Sequence, residues 1–215
     1  MSVDELFEVI LSGRCCSVED MNLLCEAISS HPDVHTARAR KLYGDALVAG
    51  IGFEDVHVFE ALCSSLPLNN VYGFDSRNII AALRTKNQRD FMVAVGNLAN
   101  TPAGFSLHRD LLKTSIEENY YDLFDYLCET HCNNICWLYT TRWVFRQQNH
   151  QFLECMVRHW PALVEELDEL MPQSSVNRPL WNRVRDEHYH RLNVEQNTRI
   201  IETIAADHAT ARRKM

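Results

Sequence analysis

Glycine and proline are scarce in this chain, which has seven Gly and six Pro among 215 residues. A β-sandwich of similar length needs many tight turns, and those turns draw on both residue types. Leu, Ala, Glu, Asp, Arg and Asn are plentiful instead, and 46% of the residues are hydrophobic. The composition therefore predicts an all-α protein that is long enough to bury a sizeable core.

Long hydrophobic runs are also missing. The longest, Ala46 to Phe53, is far shorter than the roughly 20 residues that cross a bilayer. The first residues, MSVDELFEV, are acidic where a secretory signal is basic. We therefore expect a cytoplasmic protein without membrane contact. The run RRK at 212–214 suits a nuclear-import signal, although three basic residues near a chain end also suit a simple solvated terminus.

Positive charge is in deficit, since 21 Lys and Arg face 29 Asp and Glu and the net charge is −8. Residues 180–215 hold seven Lys or Arg and five Asp or Glu, which leaves 14 and 24 for the preceding part. The body of the chain is therefore strongly acidic. A phosphate backbone is bound by clustered positive charge, so we expect no nucleic-acid partner.

Eight cysteines are present, and Cys15 and Cys16 are adjacent. In a long chain without a secretion signal we expect reduced thiols. Arg14 and a following helix N-terminus would favour the thiolate at Cys15 or Cys16, which makes oxidation plausible. No Cys/His pair with a third orienting group and no Gly-rich phosphate loop is evident in the sequence. We therefore predict neither an enzyme nor a cofactor.

An internal repeat is what the chain does contain. The motif Asp-Leu-Phe-Asp-Tyr-Leu, which starts at Asp122, recurs in four looser copies. The first inward residues of the copies are separated by 35, 35, 32 and 29 positions, and in four of the five copies an Asp precedes them. A carboxylate at a helix N-terminus accepts hydrogen bonds from backbone N–H groups, and its charge interacts favourably with the positive end of the helix dipole. The inward residues are Met21, Val56, Phe91, Leu123 and Phe152.

Each copy reads as two amphipathic helices joined by a short turn, because apolar residues recur at helical spacing on both sides of the turn. The five predicted pairs lie at residues 5–30, 37–63, 78–98, 111–130 and 139–159. After Pro161 the pattern changes to a short acidic helix, a linker and one or two further helices. Terminal repeats are often atypical, so we expect a repeat array at 1–160 and a helical cap at 161–215.

A helix pair of about 33 residues with a second helix of this form resembles the ankyrin repeat. Asp122 to Leu127 is the closest match, while the Thr-Pro-Leu-His signature is nowhere intact and Asn119-Tyr120 replaces the usual turn. Diverged arrays of this kind resemble those of large DNA viruses and some intracellular bacteria. The resemblance implies a curved α-solenoid that binds another protein. If the chain is a viral or pathogen factor, the resemblance implies that this partner is a host protein. It leaves open whether the β-hairpins of true ankyrins are present.

The segment CETHCNNIC holds the densest set of candidate metal ligands: Cys128, His131, Cys132 and Cys136. Thiolate and imidazole are the ligands that zinc prefers, but the spacing differs from that of familiar zinc modules. The three cysteines also suit packing as small hydrophobic residues, with His131 in solvent. A second polar segment contains His188 and His190, which lie on different sides of a helix and therefore suit a solvated face better than a shared ligand.

Aromatic and basic residues come together around the fifth pair: Trp137, Tyr139, Arg142, Trp143 and Arg146. Trp, Tyr and Arg contribute disproportionately to protein interfaces. The same aromatic residues also suit packing between repeats. We take this set as the candidate partner-binding patch.

The sequence thus favours a non-enzymatic protein-interaction module. Two alternatives remain from the residues alone. One is a structural subunit of a virion or scaffold, and the other is a zinc-stabilised protein that uses the cluster from Cys128 to Cys136.

Overall fold

The structure is a computed structural model that describes residues 2–14, 17–65, 75–99, 105–130, 137–172 and 174–213. These residues are predominantly helical and include no β-strand, which confirms the all-α prediction. Each of the five predicted pairs corresponds to two consecutive α-helices. The helices are α1 Val3–Leu11, α2 Val18–Ser29, α3 Ala37–Ile51, α4 Val56–Ser65, α5 Ser76–Lys86, α6 Arg89–Ala99, α7 Phe105–Glu117, α8 Tyr121–Thr130, α9 Trp137–Gln147, α10 His150–His159, α11 Leu163–Leu170 and α12 Arg178–Arg213, with a 3₁₀ turn at Pro32–His35.

The predicted aspartates lie at the N-termini of the second helices. Asp55 directly precedes α4, and its Oδ1 accepts a hydrogen bond from the His57 backbone N–H at 2.8 Å. In α2 the capping side chain is Ser17, whose Oγ accepts from the backbone N–H of the first-turn aspartate. The positive end of each helix dipole thus faces a carboxylate. The three first-turn residues are Asp20 in α2, Asp90 in α6 and Asp122 in α8.

The turns inside the pairs share an unusual backbone conformation. Asn87 has φ 48°, Asn119 has φ 54° and Gln148 has φ 52°. Each of the three lies two residues before the next helix begins. Gly13 adopts φ 67° in the turn of the first pair. A residue in the left-handed conformation reverses the direction of the chain just after a helix. Four of the five pairs therefore have such a residue in the turn between their helices.

In the first compact unit, Met1–Trp143, the helices form two layers. The first helices of successive pairs pack in order, α1 on α3, α3 on α5 and α5 on α7. The second helices do the same, α2 on α4, α4 on α6 and α6 on α8. Aromatic pairs mark both layers. Phe7 meets Tyr43 edge-on with ring centroids 4.9 Å apart, and Phe59 stacks on Phe91 at 5.5 Å.

One position in the predicted register is wrong. Val56 was expected to point inward, but it is half-buried, whereas Phe59 is fully buried. The reason is that Val56 is the first residue of α4, while Phe91, Leu123 and Phe152 are the third residues of their helices. The side chain of a first helical residue therefore lies off the inward stripe, which Phe59 occupies in this pair.

Gly50 allows α3 and α4 to approach closely. A Cβ at this position would lie 2.8 Å from Phe59 Cδ2 and 2.9 Å from Leu62 Cδ2. Both side chains are fully buried, so neither can move aside without disturbing the core.

The second compact unit is Val144–Met215, and in it α10 packs against α11 and α12. The division falls within α9, earlier than the predicted boundary at residue 160, because α10 packs with the helices that follow it. Trp181 is fully buried, and its Nε1 donates to Asp168 Oδ1 at 2.8 Å. Arg178 Nη2 and Arg185 Nη1 lie 3.1 and 3.3 Å from the same oxygen. Asp168 thereby joins α11 to the start of α12.

The sequence predicts one or two helices at the C-terminal end, and the structure has one, α12. The expectation of a solvated His188 is wrong, since this residue is only 7% exposed. It follows the buried residues Trp181 and Val184 at helical spacing, so it belongs to the packed face of α12. Burial, with the charge of Arg191, lowers the pKa of His188. His190 is exposed, as predicted.

Candidate functional site

Two neighbouring depressions lie where the second helices of successive pairs begin. The first is formed by the N-terminal ends of α4 and α6, and the second by α6 with the start of α8. Gln88 and Arg89 line both, so the depressions are continuous along one edge of the first unit. The first is lined by Glu54, Asp55, Val56, His57, Gln88, Arg89, Asp90 and Phe91. The second is lined by Asn87, Gln88, Arg89, Met92, Tyr120, Asp122, Asp125, Tyr126 and Glu129.

Six carboxylates line these depressions and are called the acidic row: Glu54, Asp55, Asp90, Asp122, Asp125 and Glu129. Arg89 is the permanent cation among the lining residues, and His57 is the titratable one. Two further cations lie against lining residues, Lys86 at the Phe91 ring and Arg84 at the Tyr120 ring, so the six carboxylates leave an excess of negative charge. The row follows from the repeat, since three of its members are the aspartates at the helix N-termini.

His57 reports this negative field. Its Nδ1 lies 3.0 Å from Glu60 Oε2, and that hydrogen bond is the main reason why the pKa of His57 is raised above its usual value. The charges of Asp55 and Glu60 raise it further, and Asp90 on the next pair contributes in the same direction. A cation at this edge is thus stabilised by carboxylates from two successive pairs.

The second depression has an aromatic wall. Tyr126 lies so close to Gly96 on α6 that a Cβ there would clash with its ring. The Arg84 guanidinium lies 5.1 Å from the centre of the Tyr120 ring. Burial raises the pKa of both tyrosines, so their hydroxyl groups stay neutral beside the carboxylates. The surface combines aromatic faces with carboxylate acceptors, which suits a guanidinium or ammonium group.

The predicted patch on α9 is present in part. Tyr139 is 45% exposed and meets Trp143 edge-on with ring centroids 4.5 Å apart. Arg142 is exposed, and Arg146 is exposed one turn further along the helix, where it belongs to the second unit. Trp137 is only 6% exposed and packs in the interior, and Trp143 is half-buried, so the exposed part of the patch consists of Tyr139, Arg142 and Arg146.

The alternative zinc cluster lies largely outside the described residues, since these omit His131, Cys132 and Cys136. Cys128 is fully buried in α8, as its position on the inward stripe of that helix predicts. Cys15 and Cys16, the candidate reactive thiols, also lie outside the described residues.

The acidic row is the feature that the sequence interpretation missed as a site. Its aspartates were assigned to capping alone, although their recurrence in successive pairs was the available signal. Side-by-side packing of the second helices turns this periodicity into one continuous surface. Glu54, Asp125 and Glu129 have no such periodic signal in the sequence.

The chain matches no family model, no curated protein and no solved structure in the comparisons made. Among the described residues, no helix has both the length and the hydrophobicity that a membrane-spanning segment requires.

Proposed function

We propose that this chain is a protein-binding module whose first unit is an open helical repeat array similar to degenerate ankyrin repeats. Its partner is a cationic segment of another protein, which lies along the acidic row. The module acts by binding and not by catalysis.

Two features support the repeat array. The first and second helices pack on their counterparts in sequence order, which is how solenoid repeats stack. The turns at Asn87 and Asn119 repeat one backbone conformation at the same distance from the next helix. In ankyrin-type arrays the turns and helix ends form a repeated surface that is available for recognition.

The observation that carries the choice of partner is the sharing of Gln88 and Arg89 between two depressions that carboxylates line. A partner that occupies one depression can continue past Gln88 and Arg89 into the next and meet carboxylates on both sides of them. Complementary charge raises the rate of association and disfavours acidic competitors. The raised pKa of His57 has the hydrogen bond to Glu60 as its main cause, and the charges of Asp55 and Asp90 in the acidic row act in the same direction.

The experiment measures binding of a labelled Lys-rich peptide to the full chain by fluorescence anisotropy, with a Glu-rich peptide of the same length for comparison. Four carboxylates of the acidic row are neutralised together by Glu54→Gln, Asp90→Asn, Asp122→Asn and Glu129→Gln. Asp55 is left intact because it caps α4. Exposed ion pairs contribute about 0.2–1 kcal/mol each, or about 0.8–4 kcal/mol for four, so we expect affinity to fall by about fourfold or more.

The matched control neutralises four exposed carboxylates elsewhere in the first unit, Glu8, Glu19, Glu26 and Asp45. Both variants have the same net charge. If the control variant lowers the affinity for the Lys-rich peptide as much as the row variant does, overall charge explains the binding and the acidic row is not the site.

A second contact surface is favoured by the exposed Tyr139, which contacts the half-buried Trp143, with the exposed Arg142 and Arg146 on the same helix. Exposed aromatic and Arg side chains are typical of interface centres. Pull-down with Trp143→Ala and Arg146→Glu tests it. Variants that retain every partner of the parent chain would exclude this surface.

A further inference from the structure

Three side chains with metal-binding groups come together in the second unit. His150 and Glu154 lie one turn apart on α10, so they share a helix face. Glu187 comes from α12, which packs against α10. One ligand atom from each of the three lies within 4.8 Å of the other two.

His150 has an unusual environment within this cluster. Its Nε2 is buried and makes no hydrogen bond, although Glu187 Oε2 lies only 2.9 Å away. A ring nitrogen directed at that oxygen would form a hydrogen bond at this distance. Two ligands about 2.1 Å from a common tetrahedral zinc ion lie roughly 3.4 Å apart and point at the ion, not at each other. His150 Nε2 and Glu187 Oε2 lie 2.9 Å apart without the alignment of a hydrogen bond, so a small movement of the Glu187 side chain would bring both to ligand positions around one ion.

Two arginines balance the carboxylates. Arg183 Nε donates to Glu187 Oε1 at 3.2 Å. Arg191 Nη2 lies 3.7 Å from Glu154 Oε1, too far for a hydrogen bond, and this buried nitrogen has no other hydrogen-bond partner. Within the cluster, His150 Nε2 is thus the buried nitrogen whose missing partner a metal ion would supply, because a guanidinium nitrogen donates and cannot coordinate a cation. Glu154 can turn to such an ion without giving up a hydrogen bond to Arg191.

We propose that His150, Glu154 and Glu187 form a binding site for a divalent transition-metal ion, with Zn²⁺ as the best fit. One imidazole and two carboxylates are a donor set that zinc accepts, whereas Mg²⁺ and Ca²⁺ favour oxygen ligands in larger number. Three protein ligands leave a fourth tetrahedral position for water or for a donor from a partner. The ion joins α10 to α12 and satisfies the His150 nitrogen. This site is separate from the cluster between Cys128 and Cys136.

The test is isothermal titration of the full, tag-free and metal-stripped chain with Zn²⁺, and separately with Mg²⁺. Cysteines also bind zinc, so the assignment depends on variants. We expect His150→Gln and Glu187→Gln each to lose one zinc equivalent or weaken it by at least about tenfold. The matched controls His190→Gln and Glu195→Gln alter exposed residues of α12 and should keep the parent stoichiometry. Mg²⁺ should produce no comparable binding.

Arg191→Gln supplies a gain-of-binding test that holds even if the ligand variants fold poorly. It removes a cation that competes for Glu154, so zinc should bind more tightly, on the order of tenfold. Zinc affinity equal to or below that of the parent chain in Arg191→Gln overturns the proposal. Ligand variants that fold, by circular dichroism, and still keep the full zinc equivalent do so as well.

Discussion

Gly50 is the position at which α3 and α4 approach closely because no side chain separates them. Replacing it with Ala gains about 0.5–1 kcal/mol of helix propensity, but the added methyl group meets two buried side chains. Overpacking of a core costs about 1–3 kcal/mol, so we expect Gly50→Ala to lower the free energy of unfolding by about 1–2 kcal/mol. Urea denaturation followed by circular dichroism measures the change.

Leu62→Ala supplies the control, because it removes one of the two side chains that the new methyl group would meet. In that background Gly50→Ala should cost less than in the parent chain, with a coupling energy of at least about 0.5 kcal/mol. Strictly additive costs would show that α3 and α4 do not meet at this point.

His57 reports the negative charge of Glu60 and of the neighbouring residues Asp55 and Asp90 of the acidic row. Its pKa is raised in the folded chain above the unfolded value of about 6.5. The imidazolium therefore contributes stability that is fully present below the unfolded pKa and is lost as pH rises through the folded pKa. Glu60→Gln removes the main cause, so we expect it to lower the pKa of His57 in an NMR titration of the ring. Glu26→Gln, elsewhere in the first unit, should leave that pKa unchanged, and an unaffected value in Glu60→Gln would contradict the assignment.

The turns between paired helices are the next scale, and Asn87 shows what they require. It ends α5 with φ 48° and ψ 38°, a conformation that glycine adopts freely and alanine does not. We expect Asn87→Gly to keep the parent stability and Asn87→Ala to lose about 1 kcal/mol in thermal or urea unfolding. Asn97→Ala is the matched control, since it changes an exposed position within α6 where alanine is favoured. Equal losses at both positions would mean that the backbone of the turn is not the cause.

Helices are also the scale at which the sequence was most informative. Apolar spacing predicted all five pairs, because burial of one helix face leaves a periodic record. It misplaced Val56, since periodicity cannot tell whether a helix begins before or after a particular valine. It did not predict the left-handed turn at Gln148, because glutamine has no strong preference for that conformation. His188 was misassigned because a polar side chain carries no signal of the packing that α12 imposes on it.

At the scale of the whole chain, the sequence could not predict which residues meet across pairs. The aspartates were visible as a periodic set, but their union with Glu129 and Tyr126 into one surface depends on how α6 and α8 stack. The division at Trp143 depends likewise on the packing of α10 against α11 and α12. Both are properties of contacts between helices, and the sequence of one chain carries no direct record of them.

The stacking of pairs sets the spacing between the positive charges of any partner that follows the acidic row. Packed helices lie about 8–10 Å apart, so equivalent carboxylates on α4, α6 and α8 recur at about that interval. An extended chain advances about 3.3 Å per residue, and cations at every third position therefore match the row. We expect a peptide with Lys at every third position to bind more tightly than one of equal length and composition with its Lys residues contiguous.

Variants in each half of the acidic row distinguish a partner that spans both depressions from a partner that occupies only one. Glu54→Gln with Asp90→Asn weakens the first depression, and Asp122→Asn with Glu129→Gln weakens the second. For the spaced peptide we expect both double variants to lose affinity and their free-energy losses to add in the fourfold variant within about 0.5 kcal/mol. The salt dependence of binding should also become shallower at each step. A contiguous-Lys peptide that binds as tightly as the spaced one, or a loss confined to one double variant, would show that the partner does not follow the repeat.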